Sequence, residues 1–393
     1  MDTKFHRLSQ RYLEKIDPKY RKRLGQYFTP PDICGILLSK LPKTRASLIL
    51  DPACGSGEFL SAAARAFENP TLHGWEIDGR LAKISKKIAA GAEIEKTDAL
   101  LREYGEKYDF VIGNPPYFEF IPSPAVKKKF ADVINGRANI FSMFIKLGIE
   151  MLKDGGRLAY VVPPSMNNGR YFLKLRKFIA ASSDIEHMEI LESPLIFRGA
   201  RQAVMFLILK KGKNTGRYIF DRDGVFIFSP ESRMLEKRFK KCSSLKELGF
   251  CVKTGQIVWN LNRYLLTGGP KNAVMLIWSH NITDGGLKFG SKKGKPQYIK
   301  VKKFLTGPAI VVNRITGAAG KARIKAAIVP AGMRFVAENH VNVIFPSENG
   351  VLSLNALLSR IKSPDAAEIF RNITGNTQVS KTELENLFPV KTG

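Results

Sequence analysis

Carboxylates are scarce in this chain: 35 Asp and Glu stand against 63 Lys and Arg, a formal charge of +28 over 393 residues. Such an imbalance suits a polyanionic partner. Cysteine is scarce too, and Cys34, Cys54, Cys242 and Cys251 form no CxxC pair. The five histidines stand singly, so neither a zinc spacing nor a disulfide framework is expected. Reduced, partly buried thiols of this kind fit a cytosolic protein. No run of about 18 apolar residues occurs, so no membrane span is expected. The segment from Met1 to Arg23 is basic and lacks the apolar stretch of a signal peptide. The expected location is therefore the cytoplasm.

What is present is a 44% hydrophobic composition, ordinary for a folded chain, and enough length for two domains. The charge is unevenly spread. Residues 236–393 hold 25 Lys and Arg against 9 Asp and Glu, a net of +16; the other 235 residues carry 38 against 26, a net of +12. Per residue the C-terminal part is about twice as basic.

Short apolar runs alternate with amphipathic stretches from about 32 to 211. Strands are expected at Ser47–Leu50, Thr71–Trp75, Glu93–Lys96, Tyr108–Gly113, Arg157–Val162, Ile185–Leu191 and Ala203–Lys211. Helical patterns lie at 32–41, 58–68, 79–90, 138–153 and 168–182. This rhythm predicts an α/β domain with a mostly parallel sheet, its last two strands pairing antiparallel at one edge. The rhythm then breaks, and Gly-rich polar stretches follow. The expected division is a domain over 1–238 and a separate basic α+β domain over 239–393, with no internal repeat.

Asn114-Pro115-Pro116-Tyr117 follows the apolar run Tyr108–Gly113, at the carboxyl end of a strand where α/β sheets bind ligands. Two prolines stiffen the loop and remove two donors. It presents an amide, free carbonyls and an aromatic ring, an arrangement suited to a planar, amine-bearing group. Asp51-Pro52-Ala53-Cys54-Gly55-Ser56-Gly57 follows the first strand; its acidic start disfavours a pyrophosphate and suits a ligand with an ammonium or sulfonium group. Glu76 ends the second strand at a spacing suited to ribose hydroxyls, and Asp98 follows the third. Three strand-end carboxylates outline a nucleoside-bearing cofactor.

DPACGSG followed by NPPY resembles the Rossmann-like, S-adenosylmethionine-dependent methyltransferases that modify exocyclic amines. The motif order is similar to that of the γ-class (TaqI-like) N6-adenine-specific DNA methyltransferases, the type II modification methylases. Gly25-Gln26-Tyr27-Phe28-Thr29-Pro30 resembles the N-terminal motif of that class, and the resemblance covers roughly residues 20–212. It implies that Thr29 contacts the cofactor, Asp51 and Ala53 its methionine portion, Glu76 its ribose and Asp98 its adenine, with Cys54, Gly55, Gly57, Ala99 and Asn114 completing the cofactor site. Ala99 departs from the bulky apolar residue frequent at that position, and Leu100 or Leu101 is expected to replace it.

The implied reaction moves a methyl group to the 6-amino nitrogen of an adenine flipped out of a specific DNA sequence. Asn114 and the Pro115 carbonyl would accept from the amine, while Tyr117 and Phe197 would stack on the base; no metal is implied. The basic domain would recognise double-stranded DNA. Lys292, Lys293 and Lys295 of a Lys-rich hairpin would contact phosphates, and Arg314, Asn313, Arg323 or Gln256 would read bases. The resemblance further implies a monomer, either solitary or paired with a separately encoded restriction endonuclease. Two alternatives share NPPY: an N-methyltransferase of (ribosomal) RNA bases and a protein-glutamine methyltransferase. A specificity factor with a decayed site is disfavoured because every motif position stands intact.

Overall fold

A computed structural model describes residues 5–17, 20–21, 25–191, 204–222, 224–292, 294–314, 324–346, 352–364, 366, 369 and 379–391. The chain forms two compact units, Met1–Ile219 with Phe226–Pro230, and Phe220–Val225 with Glu231–Gly393. The helix Ser232–Phe239, read from sequence as the end of the first part, counts with the second unit.

The first unit is built on a seven-stranded sheet of β1 (Leu48–Asp51), β2 (Thr71–Glu76), β3 (Glu93–Lys96), β4 (Tyr108–Gly113), β5 (Leu152–Val162), β6 (Ser183–Leu191) and β7 (Val204–Lys211). Their spatial order is 3-2-1-4-5-7-6. The pairs from β3 through β5 are parallel, and β7 runs antiparallel to both β5 and β6. The last two strands thus pair antiparallel at one edge, as the sequence predicts, with β7 lying between β5 and β6. Helices α1 (Arg7–Lys15), α2 (Pro31–Ser39), α3 (Glu58–Ala66), α4 (Gly79–Ile88), α5 (Ile140–Met151) and α6 (Leu173–Ser182) surround this sheet.

Period-two burial makes the sheet the middle layer of three. Val111, Leu158 and Tyr160 join one core with Phe141, Ile145 and Leu147 of α5 and Leu175 and Ile179 of α6. Their neighbours Phe110, Ile112, Ala159 and Val161 join the other, with Leu37 and Leu38 of α2 and Phe59, Leu60 and Ala63 of α3. Burying each such large apolar side chain contributes about 1.5–3 kcal/mol.

Two boundaries differ from the sequence reading by several residues. β5 begins at Leu152, because Lys153-Asp154-Gly155-Gly156 stays in the strand across a register irregularity between Tyr108 and Phe110. α6 begins only at Leu173, because 3-10 turns at Pro164–Asn167 and Arg170–Phe172 precede it.

The second unit carries a four-stranded antiparallel sheet, ordered Cys251–Thr254, Val341–Phe345, Ala309–Asn313, Ala326–Val329. A five-stranded mixed sheet accompanies it, and the helices Leu354–Ile361 and Lys381–Leu387 make the unit α+β. The second helix opens on a capping box: Ser380 Oγ accepts from the Glu383 N–H at 3.2 Å, and Glu383 Oε2 accepts from the Ser380 N–H at 2.6 Å. Among the described residues, no helix is long and apolar enough to cross a membrane.

Candidate active site

Strand order reverses between β1 and β4, and in such sheets the loops leaving the two strands diverge to open a crevice. The loop after β1 enters α3 through Gly55 and Gly57, at φ +55° and +90°. Gly113 ends β4 at φ +145°, where an added Cβ would lie 2.7 Å from Asp51 Oδ1. Glycine therefore lets the two loops approach each other. A cavity of about 280 Å3 opens here, with Ala53, Gly55, Glu76, Asp98, Ala99 and Asn114 in its wall.

Its acidic side is held by backbone donors. Asp51 Oδ1 accepts from the Ala53 N–H at 3.0 Å. Glu76 Oε2 accepts from the Gly55 N–H at 2.9 Å and Oε1 from the Asp78 N–H at 2.8 Å. Asp98 Oδ1 accepts from the Leu100 N–H at 3.0 Å. Burial raises the Asp51 carboxyl to about 8, against the lowering effect of the Ala53 hydrogen bond, with Glu76 adding like-charge repulsion. Burial likewise lifts Glu76 to about 7, opposed by its two backbone donors.

The N-terminal segment supplies another wall, Gly25 to Phe28. It is fixed from several sides. Ser9 Oγ donates to Glu58 Oε1 at 2.7 Å, and Tyr12 stacks on Phe28 with ring centroids 5.9 Å apart. Thr29 Oγ1 is buried without a hydrogen-bond partner, an unmet polar group of the kind a ligand satisfies.

Asn114 is tied across the cavity mouth, its Nδ2 donating to the Tyr27 carbonyl at 3.0 Å. Its Oδ1 faces the Tyr117 hydroxyl, which also lies 2.6 Å from the Val161 carbonyl. Tyr117 therefore points its phenol toward the sheet, with its ring edge-on to Phe141 at 6.2 Å, and it is not part of the cavity wall. The cause is the hydroxyl, which on burial needs an acceptor.

Other expected contacts sit differently. Asp51 and Cys54 lie outside the wall, and Cys54 Sγ meets Ser85 Oγ at 3.6 Å. A Cβ on Gly57 would come within 2.6 Å of that same Ser85 Oγ, so this glycine serves the packing of α3 on α4. Leu100 lines the cavity, whereas Leu101 is exposed. Much of the apolar wall, Phe28, Ile77, Phe118, Phe120, Ile140 and Phe144, lies outside the residues expected to contact the cofactor. The spacing of Ile140 and Phe144 marked a helix face but not which part of it faces a ligand. Phe197 lies outside the described residues.

In the second unit Lys292 is exposed and Lys295 half-buried, on a turn closed by paired hydrogen bonds between them, while Lys293 and Arg323 lie outside the described residues. Arg314 is committed inward, with Nη1 donating to the Asn339 carbonyl at 2.8 Å. Asn313 is buried and its Oδ1 accepts from the Lys325 N–H. Both therefore brace the unit instead of facing a base, a correction that sequence could not supply for polar residues at a strand end. Gln256 is exposed.

Sheet order and a cavity at the β1–β4 reversal define the class, a Rossmann-like α/β fold with a ligand crevice at its topological switch point. Within that class, the family described as N-6 DNA Methylase matches residues 8–250, and the chain belongs to it. Type II methyltransferase M.CvrRI of Paramecium bursaria Chlorella virus XZ-6E is 28% identical over 315 residues, covering 79% of this chain and 80% of the relative. Modification methylase CviBIII of Paramecium bursaria Chlorella virus NC1A is 30% identical over 317 residues, 78% of each. Type II methyltransferase M.BsuBI of Bacillus subtilis is 26% identical, with coverage of 94% and 88%.

Proposed function

We propose that the chain methylates the 6-amino group of adenine within a specific sequence of double-stranded DNA, as a type II modification enzyme of the γ class. S-Adenosylmethionine supplies an electrophilic methyl group on a sulfonium centre. The residues present fit it: buried Asp51 and Glu76 offer negative charge and acceptors to a cationic, hydroxyl-bearing ligand, and Thr29 Oγ1 needs a partner. Asp98 suits an adenine amine, and Ile77, Leu100 and Phe144 suit its ring faces.

Asn114 carries the reading. With Nδ2 bound to Tyr27, the side chain has Oδ1 left as its acceptor, and a carbonyl oxygen has two lone pairs. One faces the Tyr117 hydroxyl, whose single proton is shared with the Val161 carbonyl, and the other accepts an N–H of the target amine. The Pro115 carbonyl is the second acceptor in this reading. Two acceptors draw the nitrogen toward sp3 geometry, aim its lone pair and stabilise the positive charge that develops there. Holding the reactants in line contributes up to about 7–11 kcal/mol. The nitrogen gains the methyl group as the sulfonium's carbon–sulfur bond breaks and its electron pair leaves with sulfur as a neutral thioether. The nitrogen then releases one proton to water, which requires no strong base. Lys292 and Lys295 contact phosphates in this reading. A separate restriction endonuclease and a monomeric enzyme complete the proposal.

Expression in a methylation-free host, followed by base-resolution mapping, tests it. The expected outcome is 6-methyladenine in one sequence motif, absent with Asn114→Ala, whose cofactor affinity stays within about threefold. Unmodified DNA beside newly methylated ribosomal RNA would overturn it.

A further inference from the structure

Residues 255–265 of the second unit form a turn anchored at both ends. On entry, the Gly255 N–H donates to the Val341 carbonyl at 2.8 Å, and an added Cβ there would lie 2.1 Å from the Glu338 carbonyl oxygen. Ile257 exchanges hydrogen bonds with the backbone of Ala337 and Asn339. On exit, Leu266 pairs with Ile299, and the Lys300 N–H donates to the Leu265 carbonyl at 2.9 Å. Between these anchors, the Leu261 and Asn262 N–H groups donate to the carbonyls of Val258 and Trp259, both at 3.1 Å, and Asn262 Nδ2 donates to the Val258 carbonyl at 2.8 Å.

This well-bonded turn nevertheless holds apolar groups in solvent. Leu261 is 73% exposed and Tyr264 81% exposed. One exposed apolar residue is unremarkable; two within four residues, on a turn braced this thoroughly, are a presented surface. Cations frame it. The Arg263 guanidinium lies 4.8 Å from the Trp259 ring centroid, and Lys295 Nζ lies 5.8 Å from Trp259 and 5.2 Å from buried Trp278. Trp278 Nε1 donates to the Pro296 carbonyl at 2.9 Å, which pins the lysine turn against Trp278 and beside Trp259 of the presented turn. Residues 251–303 contain ten Lys and Arg and a single acid, Asp284. Apolar tips ringed by cations match the chemistry of a nucleic-acid duplex, whose phosphates flank a stack of aromatic bases.

We propose that the turn Val258–Leu265 enters a groove of duplex DNA, with Leu261 and Tyr264 contacting bases and Arg263 and Lys295 contacting phosphates. The inference rests on the DNA-methylase reading and adds the residues that set where the enzyme acts.

The full-length protein tests it with two double variants, both at side chains the reaction itself does not use. With plasmid DNA as substrate, Leu261→Ala/Tyr264→Ala raises KM for DNA about tenfold or relaxes the methylated motif, leaves kcat at saturating DNA within twofold, and leaves the salt slope of binding unchanged. Arg263→Ala/Lys295→Ala keeps the motif and flattens the salt slope by about 2, near 0.9 for each phosphate no longer neutralised. That slope is read by fluorescence anisotropy on a labelled random-sequence duplex. Wild-type KM and motif in the first variant, or a wild-type slope in the second, would overturn the proposal. A wild-type protein that leaves DNA unmethylated, while the cation variant still flattens the slope on duplex DNA, would sink the methylase reading and leave the groove contact standing.

Discussion

Asp51 illustrates how much one buried carboxyl determines. Its folded pKa of about 8 stands above the ordinary 3.8, so the native state holds an extra proton between those values. Its contribution to stability is therefore complete below about pH 4 and is lost as pH rises through about 8. The melting temperature of the ligand-free protein is expected to fall between about pH 6 and pH 8.5, and Asp51→Asn should flatten that slope. A cationic ligand favours the ionised carboxylate, so cofactor binding near pH 7 releases protons. Calorimetry in two buffers of different ionisation enthalpy measures the release, and a buffer-independent heat would refute it. The identities of Asp51, Glu76 and Asp98 were legible in sequence because the first two end strands and the third follows one closely. Their protonation was not, because it depends on burial from several elements at once.

Elements were more legible than the contacts between them. The seven strands of the first unit's main sheet overlap the expected ranges. Tyr108–Gly113 and Val204–Lys211 are apolar runs because they are buried on both faces, whereas Glu93–Lys96 at the sheet edge buries only Ile94. The Asn-Pro-Pro-Tyr loop fell at a strand end, as its prolines require. Sequence could not tell that the Tyr117 hydroxyl would turn toward Val161, because that acceptor lies 44 residues away. Gly57 is expected in the cofactor site, yet a Cβ there would meet Ser85; Gly113 reads in sequence only as the end of a strand, yet a Cβ there would meet Asp51. Gly113→Ala should therefore destabilise the protein by about 1–3 kcal/mol, as expected for a strained backbone with a close contact. It should also weaken cofactor binding by displacing the Asp51 carboxylate. Chemical denaturation with parallel cofactor titration separates the two effects, and an alanine variant of wild-type stability would contradict the packing account.

At the scale of the whole molecule, charge carries the most information. A net of +16 over residues 236–393 was plain from composition. Which cations remain available was not, since Arg314 turned inward while Lys292 stayed in solvent. Duplex binding by the intact chain should depend steeply on salt. With six to ten phosphate contacts, affinity falls by about 10^3 to 10^5 between about 50 and 200 mM salt. A weak dependence, below about tenfold over that interval, would mean that most of this charge serves something other than DNA.

The hydrogen bond from Asn114 Nδ2 to the Tyr27 carbonyl joins positions 87 residues apart. The two ends of an asparagine amide have nearly the same shape and opposite hydrogen-bonding character. Turned over, the side chain would set its own NH2 against the substrate's NH2, donor facing donor. The Tyr27 carbonyl therefore works as a polarity key, and a chain shortened past it would keep every residue of the Asn-Pro-Pro-Tyr loop while losing the sense in which the loop reads an amine.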